Sequence, residues 1–218
     1  MNIAVICAAG RSGRTIVFKA VSCGHNVTAF IKPDYRDPKL PSKVRIEIRD
    51  LFDLDRETLS RFDAAIDCFG VWDNALADLH MKSVQHLCDC LSGEKTRLMI
   101  VGGAGSLYTD AEHNKRFHED PSFPSDMRVM SAAQSRSFDE LAKHKDVRWT
   151  YVCPNGIYDF DRPATGRYVI AGEEIVKNDT GAMPIHSVSY GNLAAAMIFL
   201  LETGDAVNKR VSVYDIPT

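Results

Sequence analysis

The most restrictive feature of this 218-residue chain is its opening. A short apolar run, Asn2–Ala8, enters a turn of small residues (CAAGRSGRT) and then a segment of helical period, Ser12–Ser22. A strand that turns so tightly into a helix gathers the helix's free amide groups at one point, where the helix dipole favours an anion. Gly10 lets backbone amides approach a pyrophosphate, and Gly13 lets the helix pack close to the strand. Glycine-rich turns are common. This one gains meaning from its place after a first strand, inside a βαβ unit.

The rest of the chain repeats that alternation. Further strands are expected at Asn26–Ile31, Lys43–Arg49, Asp63–Cys68, Arg97–Gly102 and Arg148–Cys153, with a last one near Arg210–Tyr214. Helices are expected at Arg56–Phe62, Asn74–Leu91, Met127–Lys143 and Ser189–Leu201. Strands separated by helices pair in parallel, because parallel neighbours need a crossover. The fold class is therefore α/β: a doubly wound, mostly parallel sheet with helices on both faces, in one domain spanning 1–218. Two polar segments, Gly103–Asp126 and Asn155–Pro184, break the rhythm after strand C-terminal ends, where open α/β sheets bind ligands. Within the second, Gly166–Lys177 reads as a hairpin turning near Gly172, and 154–185 as a small substrate-side insertion.

Composition removes several classes of function. With 26 basic and 29 acidic residues the net charge is −3, so no global positive field awaits a nucleic acid. No apolar run reaches about 18 residues, so no membrane span is expected. The apolar opening is too short for a secretory signal. Six cysteines without regular spacing suit buried, reduced thiols and a cytoplasmic protein.

The second strand ends Phe30-Ile31-Lys32, about where an acidic residue usually meets a ribose 2′-hydroxyl. Lys32, with Arg11 and Arg14 in the glycine turn, suits a 2′-phosphate instead, which favours NADP over NAD. Nearby Asp34 pulls the other way, and Lys32 also reads as a solvent-exposed strand cap. Asp50 and Leu51 end the third strand, placed for an adenine amino group and ring. Phe69 and Gly70 end the fourth and would cover the adenosine from the other side. Leu51 and Phe69 read equally well as core.

CAAGRSG, GHNVTAFIK, IRDLFD, DAAIDCFG, MIVGGAGSL and TGRYVIAGEEIV together resemble the atypical short-chain dehydrogenase/reductases. Within these, the chain is similar to the NAD(P)H-binding proteins called NADH-flavin reductases, related to the flavin/biliverdin-IXβ reductases, over almost its whole length. The resemblance implies a Rossmann-type seven-strand sheet, a bound dinucleotide, and reduction of a planar acceptor such as FMN, FAD or a quinone. Carried over by position, the cofactor-binding residues are Ala9, Gly10, Arg11, Ser12, Gly13, Lys32, Asp50, Leu51, Phe69, Gly70, Gly102, Gly103, Pro154 and Ile157. Two departures stand out: Cys7 replaces the family's first loop glycine, and Ser131–Leu141 lacks the Tyr-x-x-x-Lys pair of the extended members.

Hydride transfer to a flavin needs alignment and exclusion of water more than a tyrosine acid. Tyr108, Phe117, Phe123 and Tyr158 are candidate walls, each equally readable as loop packing. Ser106 is the candidate to orient an acceptor oxygen, against a plain turn serine. His186 is the candidate proton donor, against a structural histidine. His113 and His118 read as solvated surface, with no metal site expected. Two functions remain open: an NADPH-dependent reductase acting as monomer or homodimer, and a non-catalytic NADP-sensing regulatory protein.

Overall fold

The computed structural model describes residues 1–35, 37–177 and 186–216. Short β-branched segments form β1 (Asn2–Ile6), β2 (Asn26–Ile31), β3 (Arg45–Ile48), β4 (Ala64–Asp67) and β5 (Arg97–Val101). Later strands are β6 (Arg148–Pro154), β7 (Gly156–Asp159), β8 (Tyr168–Ala171), β9 (His186–Ser189) and β10 (Lys209–Asp215). The helices are α1 (Arg11–Ser22), α2 (Arg56–Leu59), α3 (Leu79–Leu91), α4 (Arg128–Leu141) and α5 (Tyr190–Thr203).

The main sheet runs β3-β2-β1-β4-β5-β6-β10-β8, and every pairing except β10 with β8 is parallel. The order reverses beside β1, so β1 and β4 open a crevice at their C-terminal ends. Alternation along each strand sends Ile3 and Val5 to one face, under Ile16, Val17 and Ala20 of α1 and Leu193 and Met197 of α5. Ala4 and Ile6 face the other way, under Val84 and Leu87 of α3 and Phe138 and Leu141 of α4. Both faces are covered, and the strands are correspondingly apolar throughout.

Three expectations are corrected. The seven parallel strands are present, but Tyr168–Ala171 joins as an eighth, antiparallel to β10. The Gly166–Lys177 hairpin does not form: β8 pairs Val213 with Ile170, and beyond Gly172 the chain bridges Tyr108 at Glu174 instead of folding back. The helix expected over Asn74–Leu91 is two pieces. The Asp73 side chain accepts from Ala75 N and closes a separate tight turn, Asn74–Leu76, which leaves Leu76 exposed. β7, inside the expected 154–185 insertion, pairs in parallel with β9, which begins just after it, as a second, two-stranded sheet (Gly156 opposite His186); residues 178–185 of that insertion lie outside the described residues.

Polar clamps tie the segments after β6 and β7 to α5 and β10. Ser189 caps α5 by accepting from Asn192 N, and Asn192 donates to Asp215 Oδ1 (2.7 Å) while accepting from Gly166 N (2.9 Å). Asn155, fully buried, binds Ser212 Oγ, the Glu174 carbonyl and Val176 N.

Gly13 sets how closely α1 approaches β1. A Cβ there would lie 2.6 Å from the Cys7 carbonyl oxygen and 2.7 Å from Ala8 Cα, both rigid backbone. Gly13→Ala is therefore expected to destabilise the fold by about 1–3 kcal/mol, read by urea denaturation; an unchanged midpoint would show that the turn yields.

Candidate functional site

The N-terminus of α1 lies at the crevice. Gly10 is its N-cap residue in extended conformation, no side chain caps the helix, and its first turn holds no acidic residue. Among the described residues, the amides of Arg11, Ser12 and Gly13 have no hydrogen-bond partner. A turn bond from Gly10 N to the Cys7 carbonyl (3.2 Å) aims them outward. Cys7 itself sits at φ 57°, the left-handed region where the family's glycine is at ease. The helix end is thus a cradle for an anion, walled by β7 and α5. Tyr158 donates to Ser12 Oγ (3.2 Å) and stacks flat on Tyr190 (3.6 Å, 4°); the Arg11 guanidinium lies 4.8 Å above Phe160.

On the β2–β3 side, Lys32 forms an exposed ion pair with Asp34 at 2.8 Å. The pairing raises the Lys32 pKa and lowers that of Asp34. The Asp50 carboxylate accepts from Phe52 N (3.0 Å), and Leu51 is buried in the core, as its apolar character allowed. Phe69 is half-buried, edge-on to Phe52 and His80, while Gly70 beside it is open.

Asp67 ends β4, in register with Ile6 and Ile100, and is 2% exposed. Its carboxyl accepts from Phe69 N (2.9 Å), which holds the Phe69–Gly70 corner. Burial among apolar neighbours pushes its pKa up to about 7, against the lowering effect of that one bond. The sequence signal was present, a lone carboxylate closing an apolar strand.

On the β5 side, Gly102 is buried against Tyr151, and Gly103 lies against the Gln134 side chain. Ser106 is fully enclosed and donates to the Gly103 carbonyl (2.8 Å), so its hydroxyl fastens the loop rather than facing the crevice. The same loop is clamped by buried Arg210, which donates to the Ser106 carbonyl and pairs with Glu173 at 2.7 Å, its guanidinium 4.5 Å over Tyr108 and 4.0 Å over Phe138. Pro154 is buried in register with Val213, whereas Ile157 projects, 58% exposed. His186 lies half-buried against Tyr214.

The expected aromatic walls are largely packing. Phe117 and Phe123 are buried edge-to-face on each other, and Tyr108 stacks on His113 at 4.0 Å. His118 is half-buried rather than solvated, with Nδ1 against the Gly105 carbonyl (2.8 Å); His113 pairs with Glu174 (2.7 Å). Of six free cysteines, Cys88, Cys90 and Cys153 are buried as expected, but Cys23 is exposed and Cys7 and Cys68 partly so. Among the described residues no group of His, Cys, Asp and Glu is arranged to hold a metal, and no helix is long and apolar enough to cross a membrane. Sequence reasoning missed Asp67 despite that signal, and also Tyr190, Phe160 and Gln134, whose placement depends on long-range packing.

The strand order, the glycine cradle and the unpaired helix amides define a nucleotide-binding α/β protein. The NAD(P)H-binding family model matches residues 7–203, and the chain belongs to that family. It is 30% identical over 214 residues to the protein YwnB of Bacillus subtilis (strain 168), covering 98% of each. Its fold is similar to the crystal structure of a "putative NADH-flavin reductase" from Streptococcus pneumoniae TIGR4, with TM-score 0.90, 35% identity, and coverage of 99% of this chain and 100% of that one. A Lactobacillus casei protein matches with TM-score 0.87 and 26% identity over the full length of both chains.

The Asp67 carboxyl makes stability depend on pH. Below about pH 3 it is protonated whether the chain is folded or not. As pH rises toward about 7 the unfolded chain ionises first, and stability falls until the folded carboxyl also ionises. Asp67→Asn is expected to lie within about 0.5 kcal/mol of wild type at pH 4 and to be more stable at pH 8 by about 2–4 kcal/mol. Urea denaturation at both values checks this; an equal effect at the two would contradict it.

Proposed function

We propose that this protein is an NADPH-dependent reductase that passes hydride to a flavin or quinone-like acceptor. The observation that carries the reading is the uncapped N-terminus of α1, held at the sheet's switch point by the close approach at Gly13. The amides of Arg11, Ser12 and Gly13 bind the pyrophosphate. Tyr158 engages Ser12 Oγ as an acceptor, which leaves the serine's own hydrogen for a phosphate oxygen. Open Gly70 and the half-buried Phe69 receive the adenosine, and Gly102, Gly103, Pro154 and Ile157 border the nicotinamide.

A reduced nicotinamide held there supplies the hydride. The chain's part is alignment and exclusion of water, through rigid loops clamped by Arg210, Asn155 and Asn192. Ser106 contributes by fastening the β5 loop, and His186, beside Tyr214, is the proposed source of a proton. Six free thiols suit a reducing, cytoplasmic compartment.

NADPH preference rests on Arg11, Arg14 and Lys32. A 2′-phosphate draws Lys32 from Asp34, an exchange made easy by the pair's exposure. Arg11→Ala with Lys32→Ala is expected to weaken NADPH at least tenfold, about 1.4 kcal/mol, with NADH little changed; equal losses by calorimetry would refute the 2′-phosphate role. Asp34→Ala is expected to tighten NADPH and leave NADH unchanged, and weaker NADPH would count against it. The NADP-sensing reading gains from the enclosed Ser106 hydroxyl and the absent Tyr-Lys pair. Loss of the reduced-nicotinamide absorbance with FMN or a benzoquinone supports the reductase; tight NADPH binding with no oxidation above background supports the sensor.

A further inference from the structure

Gln134 sits on α4 with its backbone carbonyl fixed twice, by Ser137 Oγ (2.8 Å) and by the buried Tyr151 hydroxyl (3.2 Å). Helix and β6 thereby lock this residue in place. Its half-buried side chain runs to Gly103, so closely that a Cβ on Gly103 would collide with Oε1. Three buried polar side chains around the crevice are engaged: Ser106 with the Gly103 carbonyl, Asn155 with Ser212 and Glu174, Asn192 with Asp215. Among the described residues the Gln134 amide alone of these has no hydrogen-bond partner.

Its position is equally specific. Gly103 follows β5, two strands from β1 through β4, so it lies about 10 Å along the sheet from the α1 cradle. Lys32 lies on the opposite side of β1, at the end of β2. A dinucleotide with its adenosine toward Lys32 and its pyrophosphate on α1 carries its reactive ring to the β5 side.

We infer that the Gln134 side-chain amide pairs with the polar edge of the acceptor ring and selects rings bearing an imide over simple quinones; this rests on the reductase reading. A carboxamide presents a donor and an acceptor side by side. The imide edge of an isoalloxazine carries an N–H flanked by carbonyls and pairs with both. A benzoquinone offers acceptors only and leaves the Gln134 oxygen without a donor. Sites built to hydrogen-bond a substrate discriminate strongly, because a mismatched ligand leaves a desolvated polar group unpaired.

The test compares wild type with Gln134→Leu and Gln134→Glu, measuring NADPH-dependent reduction of FMN and of a benzoquinone alongside NADPH affinity by calorimetry. Gln134→Leu is expected to lower kcat/KM for FMN about 10- to 100-fold, to change the benzoquinone value less than about threefold, and to leave NADPH affinity intact. Gln134→Glu keeps an acceptor but loses the donor, and is expected to lose FMN selectivity as well. Equal losses for both acceptors, weakened NADPH, or unchanged FMN kinetics in Gln134→Leu would each overturn the inference while the reductase reading stands. Wild-type protein that oxidises no NADPH with either acceptor overturns both.

Discussion

The close approach of α1 to the β1 turn is the constraint on which the rest depends. Gly13 brings the helix against Cys7 and Ala8, and that contact aims three unpartnered amides at the point where the strand order reverses. A side chain there would push the helix off the turn and turn the amides aside. Cys7, held at positive φ where a glycine would cost nothing, indicates that the turn's shape is imposed by its surroundings. The Ala8 amide bonded to the Phe30 carbonyl is one such restraint.

Around this point the protein invests its buried polar groups in loops rather than in chemistry. Arg210 through its two terminal nitrogens, Asn155 and Asn192 are engaged on backbone, hydroxyl or carboxylate partners, while the buried Arg210 Nε has none among the described residues; each residue ties a segment after a strand C-terminus to β10 or α5. Such groups are costly to bury unless satisfied, and once satisfied they fix geometry. The result is a crevice with rigid walls, in which the amides of α1, the Gln134 side chain and the projecting Ile157 remain free to meet a ligand. Asp67 differs in kind. Its carboxyl holds the Phe69–Gly70 corner through one bond against the cost of an apolar setting, so that corner of the crevice is sensitive to pH near neutrality.

Much of this was legible in the sequence because it follows from local pattern. The seven parallel strands, the helix after the glycine turn and the helix starting at Ser189–Tyr190 all reflect periodicity and short-range chemistry. What failed was non-local. Tyr168–Ala171 is rich in aromatic and β-branched residues, but nothing local says that its partner is β10 rather than the chain beyond Gly172. Phe117 and Phe123 read as walls because aromatic residues in a polar loop suggest a ligand, whereas they bury one another. Ser106 read as substrate-facing from its place after β5, yet its hydroxyl folds back on Gly103. Gln134 gave no signal at all, since a glutamine within a helix acquires meaning only from the glycine it meets 31 positions earlier.

In the proposed reading the amino end of α1 receives the dinucleotide's pyrophosphate. Backbone amide NMR during titration with NADPH tests it most directly. The largest shifts, saturating together, are expected at Arg11, Ser12 and Gly13. Saturation with those three signals unmoved, or no perturbation anywhere at millimolar nucleotide, would contradict it.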